Sequence, residues 1–407
     1  MAFFVRKPCR ILYISSTYSR DEKDNQNPWM IDTIRHLKER GYEIEVLAPS
    51  FKGLRTRTVG GVLVHRFRYF FRDKETLTHD QGAPNKIRGS VLFKLLFFPY
   101  LFFGTLAAMR VARKGRYDFI HCHWPFPHGL MGWAACLAAP GKPRLILHFH
   151  GACLLLAAKF KPIAPLLRFC LRRAQGVVSN SSFTAGLVAR LMPAPVKQSV
   201  IGFGSPLSGD PLPPARNRTK IILTVGRVVE RKGIAYLLRA LPKIAAILDA
   251  KVAIVGKGDP KVEADLHAIV EESRLQDRVV FAGKVPEAQL IEWYQTCDVF
   301  CLPAIVDSQG ETEGLGVVLL EALNYARPVV ASDVGGIPDI IKDGRTGLLC
   351  PEKDPDALAA AILKLLSDPA LGETLGRQGH DFVRKEFSWE NIVSQWEAFY
   401  AQASGPA

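Results

Sequence analysis

The chain alternates short β-rich runs with helical segments twice over, and one proline-rich break separates the two passes. The first pass runs through RILYISS (10–16), YEIEVLAPS (42–50), VLVHRFRY (62–69), DFIHCHW (118–124), RLILHFHG (144–151) and GVVSNS (176–181). Helical stretches lie between several of these runs. In NPWMIDTIRHLKERGY, for example, Trp29, Ile31, Ile34 and Leu37 recur at helical spacing and Gly41 supplies a stop. The break is GFGSPLSGDPLPPARNR (202–218), after which the rhythm resumes with KIILTVGR, KVAIVGKGD, RVVFAGKV, DVFCLPA, RPVVASD and GLLCPE. Alternation of this kind builds βαβ units, so the expectation is an α/β chain of two Rossmann-like, doubly wound parallel sheets. The predicted first domain covers residues 1–205, the linker 206–218 and the second domain 219–386. An amphipathic helix at 387–403 is expected to cross back onto the first domain. Ligands of such sheets bind beyond the C-terminal strand ends, so both domains should offer loops to a common cleft.

A chain of 407 residues suits two such domains, and 48% hydrophobic with 23% charged residues is a globular composition. Eight cysteines are scattered without a CxxC pair or a His/Cys grouping at zinc spacing, which reads as reduced thiols in a cytosolic protein. The apolar start of the sequence is too short for a signal segment, so no export is expected.

Charge is segregated. Between Gln81 and Gly209 sixteen Lys or Arg face a single acid, Asp118, while the rest of the chain is nearly neutral. Seven of those cations lie in KIRGSVLFKLLFFPYLFFGTLAAMRVARKGR (86–116), among aromatic and aliphatic bulk, and KFKPIAPLLRFCLRR (159–173) repeats the mixture. This pattern suits the surface of an anionic bilayer. Buried core helices with solvated ends and a span over 91–109 interrupted by Lys94, Pro99 and Gly104 are the other readings. Nucleic acid fits less well, because stacking aromatics are not spaced along strands.

The chemistry concentrates after the break. In ETEGLGVVLLEAL (311–323), Glu313 precedes a Gly-x-Gly turn formed by Gly314, Leu315 and Gly316, and Glu321 lies inside the following helix among leucines. Glycines at a helix N-terminus favour phosphate, and a carboxylate held among apolar groups needs strong donors, which vicinal sugar hydroxyls supply. A second element, VGRVVERKG, places Gly226 at a strand end and Arg227 and Lys232 in the loop beyond it, two cations suited to a leaving diphosphate. DPD (354–356) fits a D-x-D metal pattern but sits where a helix cap belongs, so no metal and no other cofactor is expected.

On these residues the second half resembles the retaining nucleotide-sugar glycosyltransferases of family 4, which have the GT-B fold. The E-x7-E pair is Glu313 and Glu321, the Gly-Arg…Lys-Gly element is Gly226, Arg227, Lys232 and Gly233, and VVASDVGGIPDIIKDGRTGLL is similar to the family's donor segment. In the first half His150-Gly151 matches the histidine beside the reacting sugar, and HCHWPFPHG resembles an acceptor-side loop. The resemblance implies that Glu321 binds the donor ribose and Glu313 the transferred sugar. Arg227 and Lys232 would then hold the diphosphate, the amides of Leu315 and Gly316 would meet the proximal phosphate, and His150 would orient near the anomeric carbon. It also implies retention by front-side attack, a donor phosphate oxygen taking the acceptor proton. Acceptor-side candidates are His123, Trp124, His128 and Asn27. The family's Gly-Gly turn after the first strand is replaced here by STYSRDEKDNQNPWMID.

The expected function is transfer of a hexose from a UDP- or GDP-linked donor to a lipid-linked or cell-envelope saccharide, at the cytoplasmic face of the membrane. A nucleotide-sugar epimerase of the same fold would not need the basic first half. A non-catalytic nucleotide-sugar-binding scaffold would not need an intact Glu313, Glu321, Arg227 and Lys232 set.

Overall fold

The computed structural model describes residues 9–22, 24, 27–79, 90–193, 196–205 and 219–405. The expected linker at 206–218 lies outside them. The chain divides into two compact units, one built from residues up to 180 with 184–201 and 393 onward, the other from 181–183 and 202–392. All eight cysteines are free.

The first unit contains β1 (Arg10–Ile14), β2 (Glu43–Pro49), β3 (Arg57–Val59), β4 (Val62–Phe67), β5 (Phe119–His123), β6 (Arg144–Phe149), β7 (Gly176–Ser179) and β8 (Gln198–Val200). They form one sheet in the order β3-β4-β2-β1-β5-β6-β7-β8, parallel except for the β3–β4 hairpin. Its helices are α1 (Pro28–Glu39), α2 (Val91–Lys114), α3 (Pro125–Ala138), α4 (Ala152–Lys159), α5 (Ile163–Leu171) and α6 (Ser182–Leu191). Strand alternation gives this sheet two unlike faces. Leu12, Ile14, Ile120, Cys122, Leu145 and Leu147 build an apolar core with Tyr100, Ala108, Met131 and Ala135 of α2 and α3. The opposite face carries Tyr13, His121, His123 and His148.

The α2 helix buries Leu96, Tyr100, Gly104, Ala108 and Ala112, a row at four-residue spacing. A Cβ at Gly104 would stand 2.7 Å from the Met131 side chain, so the absent side chain lets the helix sit close. The other side of α2 exposes Val91, Leu92, Leu95, Phe98, Phe102, Phe103 and Leu106. By length and composition this helix could cross a membrane.

The second unit contains β9 (Lys220–Val225), β10 (Ala250–Val255), β11 (Val279–Gly283), β12 (Val299–Leu302), β13 (Val329–Ser332) and β14 (Leu348–Cys350), all parallel, in the order β11-β10-β9-β12-β13-β14. Its helices are α7 (Ile234–Ala245), α8 (Pro260–Glu272), α9 (Glu287–Thr296), α10 (Val317–Asn324), α11 (Ile337–Ile340), α12 (Pro355–Ser367) and α13 (Pro369–Glu386). The α12 cap is Asp354, whose carboxylate accepts from the amides of Asp356 and Ala357. The last helix, α14 (Trp389–Ala403), contributes Trp396 and Tyr400 to the histidine-bearing face of the first sheet.

Candidate functional site

In an open α/β sheet the strand order reverses at one point, and the loops leaving the strands on either side splay apart there to leave room for a ligand. In the second unit that point lies between β9 and β12. The loop after β9 carries Gly226, Arg227 and Lys232, and the loop after β12 carries Glu313 through Gly316. Residues 81 positions apart thus meet at one end of the sheet: the Lys232 ammonium donates to the Glu313 carboxylate at 2.5 Å.

Close packing of backbone makes that meeting possible. Gly233 has φ +66° and a Cβ there would fall 1.7 Å from the Pro303 carbonyl oxygen, so only glycine lets the β9 loop lie against the end of β12. Behind Glu313, the Gly336 amide donates to the Glu313 carbonyl at 3.0 Å, and a Cβ on Gly335 would overlap that same oxygen. The glycine-rich segment after β13 therefore buttresses the acidic loop. Glu230 ties the two loops further by accepting from the Ser308 amide at 2.9 Å and hydroxyl at 2.6 Å.

The electrostatics follow from burial and partners. Burial acts to raise the Glu313 carboxyl, but Lys232, by charge and hydrogen bond, and Arg231 outweigh it and hold the group below the usual range. The Gly316 amide also donates to this carboxylate. Lys232 is only 9% exposed, whereas Arg227 remains exposed, so the two cations differ in kind. One is fixed by an internal partner and the other is open to an incoming anion.

Glu321 lies on α10 between Leu320 and Ala322, both fully buried. Burial pushes its carboxyl up to about 7, although the Tyr294 hydroxyl and the charge of Lys232 pull the other way. Tyr294, from α9, donates to Glu321 Oε2 at 2.5 Å and is itself fully buried. It was not foreseen from the sequence; a tyrosine on an amphipathic helix carries no signal until the partner helix is known.

In the first unit the reversal lies between β1 and β5. The loop after β1 ends at Asn27, whose amide donates to the Thr17 hydroxyl at 2.5 Å, and β5 leads into Trp124 in a left-handed conformation. His150 follows β6. It meets His123 Nδ1 through Nε2 at 3.2 Å and packs between Trp29 and Trp124, with ring centroids 4.8 and 4.9 Å away. Burial drives its imidazole down to about 3. Asn27, His123, Trp124 and His150 therefore lie around one end of this sheet. His128 differs, because Tyr100 hydroxyl at 2.9 Å and the Trp124 carbonyl at 2.9 Å engage both its ring nitrogens.

The sequence showed no metal-spaced histidines, yet the structure brings His121, His123 and His148 together, their nearest ligand nitrogens all within 4.8 Å of one another. The signal that could have revealed them was the H-x-H of β5 combined with the register of β6, in which His123 pairs with His148.

Comparison with known proteins agrees with this arrangement in both units. The family Glycosyltransferase Family 4 matches residues 29–204, and Glycosyl transferases group 1 matches residues 213–382. The chain is 27% identical to N-acetyl-alpha-D-glucosaminyl L-malate synthase of Bacillus anthracis, over 71% of this chain and 76% of that one. It is 34% identical to the GDP-mannose-dependent alpha-(1-6)-phosphatidylinositol monomannoside mannosyltransferase of Mycolicibacterium smegmatis, a match that spans only 42% of this chain and 44% of that protein. Among solved structures, sucrose-phosphate synthase from Thermosynechococcus elongatus superposes with a TM-score of 0.75 at 23% identity, over 97% of this chain and 98% of the other. With one family match on each unit and the fold shared along nearly its whole length, the chain belongs to the family 4 glycosyltransferases and has the GT-B fold.

Proposed function

We propose that this glycosyltransferase moves a hexose, with retention, from a UDP- or GDP-sugar to a lipid-linked or cell-envelope saccharide acceptor, working as a peripheral protein on the cytoplasmic face of the membrane. The observation that carries the donor part is the meeting of Lys232, Glu313 and the Gly316 amide at the reversal point of the second sheet, with exposed Arg227 in the same loop as Lys232. An arriving diphosphate is a better partner for Lys232 and Gly316 than Glu313 is, because it brings more negative charge to both donors. Released from them, Glu313 accepts from hydroxyls of the transferred sugar. Arg227 and Lys232 neutralise the leaving diphosphate, so this reading needs no metal and no cofactor at the donor. The amides of Leu315 and Gly316 meet the proximal phosphate. Glu321, one oxygen held by Tyr294, takes the ribose hydroxyls on the other.

On the acceptor side His150 orients the sugar near its anomeric carbon. It does so as a neutral imidazole, since burial keeps it from holding a proton at neutral pH. Asn27 and Trp124 line the acceptor's approach, buried His123 stands behind His150 through its Nδ1 instead of lining that approach itself, and His128 fixes Trp124 through its carbonyl. A donor phosphate oxygen takes the acceptor proton in a front-side attack.

The membrane part rests on α2. Its exposed apolar stripe runs into exposed Arg110, Arg113, Lys114 and Arg116. Near α5 the same mixture recurs, with exposed Phe160 and Leu166 beside Lys159, Lys161, Arg168, Arg172 and Arg173. Apolar insertion flanked by cations matches an anionic lipid surface, and the mycolicibacterial relative's name includes a phosphatidylinositol acceptor.

A thermal-shift titration with UDP, GDP, ADP and NAD on the parent chain and on Glu321→Ala tests the donor reading, because a ligand that binds only the folded form stabilises it. Stabilisation by UDP or GDP that the substitution weakens supports it; no shift at millimolar nucleotide overturns it. Liposome flotation of a variant lacking the four charges of Arg110, Arg113, Lys114 and Arg116 tests the membrane reading. Unchanged binding to anionic vesicles at low salt would defeat that part alone.

A further inference from the structure

Register and pleat set three imidazoles on one face of the first sheet. His121 and His123 alternate along β5, and His148 sits opposite His123 on the neighbouring parallel strand β6. The rings of His121 and His123 stack 4.6 Å apart, and the centroid of His148 lies 4.9 Å from that of His123 and 5.5 Å from that of His121. None of the three is more than 2% exposed.

Their hydrogen bonding is incomplete in a patterned way. Among the described residues the Nε2 atoms of His121 and His123 and both ring nitrogens of His148 have no partner. A buried polar group without a partner costs about 1–3 kcal/mol, so four of them crowded together call for a ligand. The remaining nitrogens are anchored: His121 Nδ1 to the Tyr400 hydroxyl at 2.7 Å, and His123 Nδ1 to His150 Nε2 at 3.2 Å. A metal-binding histidine commonly shows this division, with one nitrogen held by an outer partner that fixes ring and tautomer while the other keeps its lone pair.

The surroundings narrow the class of ion. Tyr13, Trp29 and Trp396 pack against these histidines. The coordinating set is nitrogen, with no carboxylate oxygen in the group, which disfavours calcium and magnesium and favours borderline d-block ions. Metal–nitrogen bonds of about 2.0–2.1 Å place nitrogens roughly 3–4 Å apart. The ligand nitrogens here lie within 4.8 Å of one another, and closing on one ion requires the parallel His121 and His123 rings to turn about χ2 until their lone pairs converge.

We propose that His121, His123 and His148 form a binding site for a zinc-class divalent ion, held by three imidazole nitrogens with a fourth position left for an oxygen ligand, a water or a hydroxyl. The site is built wholly from residues of the first unit, shares none with the Lys232 and Glu313 constellation, and does not rest on the donor reading.

The test uses the full chain with any affinity tag removed, stripped by a chelator and then titrated with Co(II) or Zn(II). The expected result is one ion per chain by elemental analysis, the visible spectrum of low-coordinate cobalt, and three imidazoles in the X-ray absorption spectrum of the zinc form. His148→Phe, which keeps an aromatic ring in place, should weaken zinc by more than the roughly 10–100-fold that loss of an outer-shell partner costs. Failure to retain an ion at micromolar metal, a ligand set containing thiolate or carboxylate, or equal affinity in His148→Phe would overturn the assignment. Should that variant not fold, the ligand count on the parent chain decides.

Discussion

The two sheets carry their polar groups in opposite electrostatic conditions. At the end of the second sheet the carboxyl groups are supplied with partners from within the protein: Glu313 with the Lys232 cation, and Glu321 with the Tyr294 hydroxyl. On the first sheet His121, His123 and His148 are neutral, and several of their nitrogens have no partner among the described residues. Under the proposed function the first arrangement is preorganised for an anion, which enters by exchanging one partner for another. The second keeps lone pairs in reserve. Removing one member should therefore have opposite consequences: in the second unit it strands a buried charge, and in the first it removes a group that was already unpaired.

The largest effect is expected at Lys232. Lys232→Ala should lower kcat by about 10²–10³-fold, the range for losing one preorganised donor to developing charge. It should also lower stability, by up to roughly 3 kcal/mol, because Glu313 is left partly buried without its cation. Denaturant unfolding separates these two losses: adding Glu313→Ala should restore much of the stability and none of the activity. Arg227→Ala should reduce activity with little change in stability, since Arg227 is exposed. If Lys232→Ala unfolded at the same denaturant concentration as the parent, the second site would not be the internally compensated one.

Glu321 gives the next effect, and its pH dependence has a defined sign. Its carboxyl titrates near 4.5 when unperturbed and is raised to about 7 in the folded chain, chiefly by burial. Between those values the folded state holds a proton that the unfolded state has released. The associated stability is complete below pH 4.5 and is lost as pH rises through 7. Glu321→Gln should flatten that decline, by up to about 1 kcal/mol per pH unit. Nucleotide affinity should run the other way, strengthening as pH rises and the carboxylate becomes available to ribose hydroxyls. Losing that charge-assisted bond should cost about 1.5–3 kcal/mol of binding. Parallel slopes for stability and affinity in isothermal titration and melting would remove Glu321 from the nucleotide site.

Much of this comparison could be read before the structure was in hand, but unevenly. Parallel strands announce themselves by apolar runs, so twelve strands were placed to within a few residues. The three-residue strands β3 and β8 were missed, being too short to show a period. Glu313, Glu321 and Lys232 could be singled out because the carboxylate pair and the strand-end cations occur together, in the order and spacing of the family 4 motifs. Tyr294 and the His121, His123 and His148 group were not, because each depends on which elements lie side by side. Sequence spacing describes neighbours along one strand, whereas the His123–His148 pairing is set by register between two. Of the helically spaced Trp29, Ile31, Ile34 and Leu37, the structure buries Ile34 and Leu37 together with Met30 and Thr33, while Ile31 is half-buried and Trp29 packs on His150.

A smaller effect bears on the contrast between the basic first unit and the neutral second. One exposed cation at the end of α2 near an anionic surface contributes about 1 kcal/mol. Arg113→Gln should then weaken binding to anionic vesicles by about fivefold at low salt and very little at high salt. A conservative charge removal on the second unit, Arg345→Gln, should leave vesicle binding unchanged. Equal losses from both would mean that net charge, and not the α2 stripe, attracts the chain to lipid.

The smallest shift is the most diagnostic for the first sheet. In metal-free buffer His148→Phe deletes two buried nitrogens that have no partner and retains an aromatic ring for packing against His123 and Trp396. Replacing unpaired polar atoms by an apolar group of similar shape is close to neutral or stabilising, so the melting temperature should stay within a degree or two of the parent or rise. His128→Phe supplies the control, since both of its nitrogens are engaged and its loss leaves the buried Tyr100 hydroxyl and the Trp124 carbonyl without that partner. That variant should be less stable by about 1–3 kcal/mol. Were His148→Phe to fall as far as His128→Phe, the histidines of this sheet would be satisfied core residues like His128, and the distinction between a compensated second site and an uncompensated first one would fail.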